Sequence, residues 1–190
     1  MKEEIQDKRA AALKATLELI AEQGFHGTPM SQIAQRANIG VGTIYRYFNS
    51  KEDLINALYI DIKTRMTRYI FKNYSKDLPV REGFKQLLKD FVYYMIENPA
   101  ELSFGEQYEN SPLITAATRE EGMRIAEPIE DLFKRAREQN LLKEMPIEIL
   151  GTLLIGAIRS LAKLYLSGNV KFDEVSINEG IDAIWDMIKR

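Results

Sequence analysis

The chain contains no cysteine and a single histidine, His26, in 190 residues. Without thiols it can build neither a disulfide framework nor a thiolate metal site, and no Cys–His pair is available for nucleophilic catalysis. A Ser–His pair would have to use His26, which sits beside a turn glycine, and a di-iron helical bundle needs at least two histidines. Nucleotide fingerprints are also missing. Gly40 and Gly42 open like a dinucleotide motif, but no strand pattern precedes them, Tyr45 stands where the third glycine belongs, and no P-loop pattern occurs. No catalytic residue, metal site or cofactor is expected, and the chain does not read as an enzyme.

Alternating strand patterns, hairpin dipeptides, internal repeats and low-complexity runs are lacking too, so the expected fold class is all-α. Met1 leads into Lys2, Glu3 and Glu4 rather than an apolar run, and no signal peptide is read. The longest apolar-rich stretch, Ile147 to Leu166, is interrupted by Glu148, Arg159 and Lys163. It reads as too polar to span a bilayer. A cytoplasmic protein with no membrane partner is expected.

What is present begins with a segment free of acid. From Gln23 to Lys51 there is no Asp or Glu, while Arg36, Arg46 and Lys51 are basic. A surface that meets DNA must avoid carboxylates, because each would repel phosphate. The same segment carries two short helical patterns around a tight turn. Thr28 is read as an N-cap with Pro29 at the first helical position, and Ile33, Ala34 and Ala37 share one face. Asn38 follows, where a non-glycine residue best tolerates a left-handed conformation. In the second pattern, Gly42 to Phe48, the i, i+4 pair Ile44 and Phe48 turns inward, leaving Thr43, Arg46 and Tyr47 outward. Two short helices joined this closely, the second with a polar and basic outer face, spell a helix-turn-helix. Thr43 suits a base edge or a phosphate, and the hydroxyls of Tyr45 and Tyr47 suit phosphate oxygens.

Gly24-Phe25, Thr28, Ile33-Ala34, Ala37, Gly42, Tyr45, Tyr47-Phe48, Lys51-Glu52 and Leu54 together resemble the DNA-binding domain of the tetracycline-repressor (TetR) family of bacterial regulators, over roughly residues 9 to 60. Three positions depart from its pattern. Asn38 replaces the glycine common in the turn, and Gly40 stands where the family usually has a serine N-cap, which weakens the second helix. Arg46 stands where many members carry another residue, so base specificity cannot be copied from a relative. The expected DNA-facing set is Thr28, Ser31, Gly42, Thr43, Tyr45, Arg46, Tyr47 and Lys51. Lys51 and Tyr47 are assigned to phosphates, Thr43 and Arg46 to bases.

Charge supports a two-part molecule. Residues 1–76 carry 12 Lys/Arg against 8 Asp/Glu, and residues 77–190 carry 14 against 20. A basic head and an acidic body suit a protein that presents one end to a polyanion. The head, 1–50, is expected to hold three helices; the body, 51–190, is expected to be helical throughout. A long helix leaves the head from Glu52 to about Asn73, its Lys63, Arg65, Arg68, Lys72 and Lys76 reading as a solvated face. Pro79 opens another helix, ended by Asn98-Pro99. Glu101 to Tyr108 is a short helix, and Ser111-Pro112 starts a helical region reaching Gln139, which Pro128 must either kink or split. Ile147–Leu166 and Val175–Ile188 complete the count.

The resemblance implies that this body senses a ligand and dimerises. Gly151, Gly156, Ala157 and Ser160 permit close helix approach, while Leu153, Leu154, Ile158 and Leu161 add apolar area for a self-complementary interface. Phe91, Met95, Phe104, Tyr108 and Trp185 are the candidate lining of an apolar pocket. Arg159 is either a polar anchor there or half of an internal salt bridge. The expected function is a homodimeric transcriptional regulator, a repressor that a small-molecule effector releases from a palindromic double-stranded DNA operator. The alternative is an architectural or effector-independent helical DNA-binding protein.

Overall fold

The fold is taken from a computed structural model that describes residues 2–169 and 173–190, with side chains from residue 7 onward. Among the described residues there are ten helices and no strand, only an isolated antiparallel bridge between Leu142 and Lys189. The all-α reading holds.

Helix α1 (Lys2–Gln23) stops at Gly24, whose φ of 73° lets its N–H turn back to the Ile20 carbonyl at 2.9 Å. Helix α2 (Met30–Arg36) begins one residue later than its sequence suggests. Pro29 has an extended ψ of 153° and is itself the N-cap, its carbonyl accepting from Gln32 and Ile33. Thr28 therefore lies outside the helix and does not cap it. Asn38 takes the left-handed conformation expected of it, at φ 53°. Helix α3 (Val41–Tyr45) is only five residues long and has no side-chain cap at Gly40, as the missing serine implies. It ends sooner than expected. The Phe48 N–H still reaches the Ile44 carbonyl at 3.0 Å, which keeps the two side chains on one inward face.

Helix α4 (Lys51–Ile70) starts with a cap made of two reciprocal bonds: Ser50 Oγ accepts from the Asp53 N–H, and the Asp53 carboxylate accepts from the Asn49 N–H. Helices α5 (Val80–Glu97) and α6 (Pro99–Tyr108) meet at Asn98-Pro99. The next stretch corrects the sequence reading. Ser111-Pro112 opens turns, not a helix, and α7 (Ala116–Ile125) starts only after Thr115, whose hydroxyl accepts from the Thr118 N–H. Pro128 splits the region, because it occupies the first turn of a separate α8 (Glu127–Glu138), where its missing N–H costs no bond. Helix α9 (Ile147–Leu166) has the expected bounds, and α10 (Glu174–Ile188) is capped by the Asp173 carboxylate, which accepts from the Ser176 N–H at 2.8 Å.

The chain packs as two compact units that do not follow chain order. The first comprises residues 1–63 and 100–124; the second comprises 64–99 and 125–190. Helix α4 is continuous through both. The first unit's core gathers Leu13, Ile20, Phe25, Ile33, Ile44 and Phe48 with Leu54 and Leu58 of α4, and takes in Phe104 and Ile114. In the second, Phe84 of α5 sits 5.0 Å from the Phe133 ring and 5.5 Å from that of Trp185.

Helix α9 buries Leu150, Leu154, Ile158 and Ala162. Leu154 and Ile158 thus belong to the chain's own core rather than to a self-interface. The opposite face, with Ile149, Leu153, Gly156, Ser160 and Leu164, is exposed. By length and composition alone this helix is apolar enough to cross a membrane, so its three charges do not make it too polar as the sequence reading held.

Candidate nucleic-acid interface

Helices α2 and α3 lie against the core through Ile33, Ala34, Ile44 and Phe48, which fixes what the other side of α3 can present. That side shows Val41 (43% exposed), Gly42, Tyr45 (51% exposed) and Arg46. Ser31 is exposed at the start of α2, whereas Thr43 and Tyr47 are half-buried. An apolar side chain such as Val41 on a recognition helix can meet a thymine methyl. The sequence reading passed over it, because a lone valine carries no hydrogen-bonding signal.

Two members of the expected set make contacts inside the chain. Thr28 is fully buried, and its Oγ1 donates to the Gly24 carbonyl at 2.8 Å. It ties the α1–α2 loop together. The Lys51 ammonium donates to the Phe25 carbonyl and lies 4.1 Å from the Phe25 ring centroid, a cation–π geometry. Burial pushes the Lys51 amine below its usual pKa, partly offset by nearby Glu52. Lys51 therefore staples the start of α4 to the end of α1, an arrangement that the 26-residue separation hid from sequence.

Arg36 is also engaged. Its two terminal nitrogens meet the two Glu22 oxygens at 2.8 Å each, and Glu18 lies 3.5 Å away. The hydrogen bond to Arg36 holds the Glu22 carboxyl below its usual range, and Glu22 in turn raises the guanidinium. Of the three basic residues in the acid-free segment, Arg46 alone is outward-facing and without an ion pair among the described residues. The sequence reading passed over a further exposed cation of the same unit, Arg9 of α1, whose guanidinium lies 5.5 Å over the Phe48 ring.

The reading surface is braced from far along the chain. Tyr108 accepts a hydrogen bond from the Phe25 N–H at 3.1 Å, and Lys63 pairs with Glu109 at 2.5 Å. Asn56 of α4 donates to the Leu113 carbonyl and accepts from the Thr115 N–H, both at 2.9 Å. Burial pushes the Tyr59 hydroxyl up. Phe104 and Tyr108, expected in a ligand pocket, instead help to build the first unit's core and its bracing.

The second unit contains an apolar cavity of about 90 Å³. Phe84, Leu87, Leu88 and Phe91 of α5 form one wall. Ile129 and Phe133 of α8, with Gly151, Leu154, Ile155 and Ile158 of α9, form the others. Of the expected pocket residues only Phe91 lines it. Met95 and Trp185 are buried in the same unit, and Arg159, half-buried next to Ile158, is not part of the lining. Gly151, expected at a self-interface, faces this cavity. Among the described residues no three acidic, histidine or cysteine side chains are placed to hold a metal ion.

A family model described as "Bacterial regulatory proteins, tetR family" matches residues 12–58, and one described as "Tetracyclin repressor-like, C-terminal domain" matches residues 79–189. An uncharacterized HTH-type transcriptional regulator of Haemophilus influenzae is 30% identical over 149 residues, 78% of this chain and 78% of that protein. A TetR-family transcription regulator of Marinobacter aquaeolei VT8 superposes with a TM-score of 0.92 at 23% identity, covering 100% of this chain and 99% of that one. A similar protein of Shewanella sp. PV-4 gives 0.87 at 25% identity, covering 96% and 98%.

Proposed function

The chain belongs to the tetR family of bacterial regulatory proteins, and on that premise we propose that it is a homodimeric repressor, released from a palindromic operator by a small-molecule effector. It is a helix-turn-helix transcriptional regulator and not an enzyme. The observation that carries the proposal is the outward face of α3: Gly42, Tyr45 and Arg46 exposed within a segment without a single carboxylate. In this reading Arg46 and Thr43 meet base edges, Val41 meets a thymine methyl, and Ser31, Tyr45, Tyr47 and Arg9 approach phosphates.

Residues 1–50 read DNA, and 51–190 sense the effector and dimerise in the cytoplasm. The exposed apolar face of α9 around Leu153 and Gly156 is the surface on which a second copy packs. Two recognition helices then reach successive major grooves about 34 Å apart. The effector acts only through its differential affinity for dimers whose heads fit or miss that spacing, and operator DNA weakens effector binding by the same factor.

Selection of DNA from a random pool by the full-length protein, followed by sedimentation of the selected complex, tests this. A single palindrome bound by two copies is expected. Uniform affinity for all duplexes would leave an architectural DNA-binding protein instead, and a stable monomer at micromolar concentration would overturn the dimer.

A further inference from the structure

The α5–α8–α9 cavity has room for solvent but offers it nothing. An ordered water needs about two to four polar partners, and every lining residue is apolar. A charged or strongly polar group entering it would lose its hydration without compensation. Enclosed apolar cavities of about 150 Å³ stay dry and take up benzene or xenon; this one, at about 90 Å³, is lined as they are but opens to solvent beside half-buried Ile129, Gly151 and Ile155.

Gly151 points the same way. At Gly83 and Gly180 close packing demands glycine, a Cβ there sitting 2.9 Å from the Tyr74 ring and 2.8 Å from Leu161 respectively. At Gly42, Gly151, Gly156 and Gly168 a Cβ meets nothing within 4 Å, and of these four Gly151 is the one that lines the cavity. A Cβ on Gly151 would meet nothing within 4 Å, although Gly151 lies inside α9, where glycine weakens a helix relative to alanine. Neither backbone conformation nor a neighbour in this chain requires its missing side chain. What that absence creates is space in the cavity.

We propose that this cavity is a binding site for an uncharged hydrocarbon group, a single ring or short alkyl end, and that Gly151 keeps it open. That the occupant is also the effector rests on the function proposed above. The site selects by excluding charge. Half-buried Ile129 and Ile155 frame the cavity beside Gly151, so a side chain added at Gly151 or enlarged at Ile155 would fill the space the ligand needs.

Toluene and benzoate, alike in shape and different in charge, are the probes, titrated calorimetrically against the full-length protein and its Gly151→Leu and Ile155→Phe variants. Sedimentation and thermal melts accompany each titration. Toluene should bind the wild type and raise its Tm, with benzoate at least 100-fold weaker. Each filled variant that keeps the wild-type fold and oligomeric state should bind toluene at least tenfold more weakly. Absence of toluene binding up to its solubility limit would overturn the proposal, as would equal binding of benzoate. So would a folded Ile155→Phe variant with wild-type toluene affinity, or a Gly151→Leu variant that still binds toluene but changes oligomeric state, which would place Gly151 in an interface. A fluorescence-anisotropy measurement of operator affinity, with and without toluene, separates the two readings. Toluene bound as expected with operator affinity unchanged supports the hydrocarbon site and counts against effector release.

Discussion

In the first unit a Cβ on Gly122 would sit 2.7 Å from the Tyr59 ring, whereas in the second a Cβ on Gly151 would meet nothing within 4 Å. Tight glycines occur in both units, since Gly83 and Gly180 of the second are as crowded as Gly122, so the difference lies in where space is left. The crease between α1 and α6, both in the first unit, has no room for a water molecule, while the second unit holds its apolar cavity. Both units are cross-tied by polar bonds spanning long stretches of chain: Tyr108 to Phe25, Asn56 to Leu113 and Thr115, and Lys63 to Glu109 in the first, and Arg135 to Tyr74, Lys85 to Asp182 and Lys89 to Glu174 in the second. Directional bonds and close packing hold a surface in one shape. Apolar contacts around a void are non-directional and allow side chains to repack. What separates the two units is therefore the void in the second, whose apolar walls are free to repack, and not the number of polar ties that hold each together.

The largest expected effect would break that comparison outright if it failed. Phe48 is 2% exposed in the first unit's core, and Phe48→Ala should cost about 3–5 kcal/mol. In a urea melt followed by probes in each unit, the first unit's transition should move to lower denaturant while the second's stays. Coincident shifts would mean that the two units unfold as one.

Next come the two cations. Arg46→Ala should cost about 1–3 kcal/mol of specific affinity if Arg46 holds a base bidentately, and should relax preference at that base pair alone. Lys51→Ala should destabilise the first unit, because Lys51 stitches α4 to Phe25. Its plot of log affinity against log salt should keep the wild-type slope. A slope flatter by about one unit would return Lys51 to the phosphates.

A smaller effect probes the bracing. Tyr108→Phe removes the acceptor of the Phe25 N–H, a loss of about 1 kcal/mol, and amide exchange at Phe25 should accelerate. Unchanged exchange would show that the bond does not constrain the loop.

The smallest effect lies in the second unit. Bonds from the Ser176 N–H and hydroxyl hold the Asp173 carboxyl below its ordinary 3.8. Its folded-state pKa is depressed, so the stabilisation is complete above that ordinary value and fades as pH falls through the folded one. Asp173→Asn should remove this acid-dependent component from the second unit's melting temperature, and a wild-type pH profile identical to the variant's would sink the assignment.

What the sequence by itself determined was local. Helical periodicity, the stops at Gly24 and Ser167-Gly168, the left-handed Asn38 and the uncapped Gly40 all depend on residues within a turn or two of one another, and the structure carries each of them. The outward Arg46 was legible for the same reason, since Ile44 and Phe48 at i, i+4 set the opposite face. Thr43 and Tyr47, read as outward with it, are half-buried, and Tyr45 is the exposed tyrosine. Tertiary structure decided the rest. Pro128 was compatible with either a kink or a split, and only the placement of α7 and α8 resolved it as a split. Lys51, expected at a phosphate, holds the Phe25 carbonyl 26 positions earlier, a contact that no local pattern shows. Phe104 and Tyr108 look like pocket residues until α6 packs in the first unit, where Tyr108 meets a backbone N–H 83 positions away. Gly151 shows no phenotype in a string of letters, because a void is made by the helices around it. Hydrogen bonds to neighbours in the chain recur wherever a local pattern recurs. Which distant side chain covers a given surface depends on how whole helices pack, and no short-range pattern encodes that.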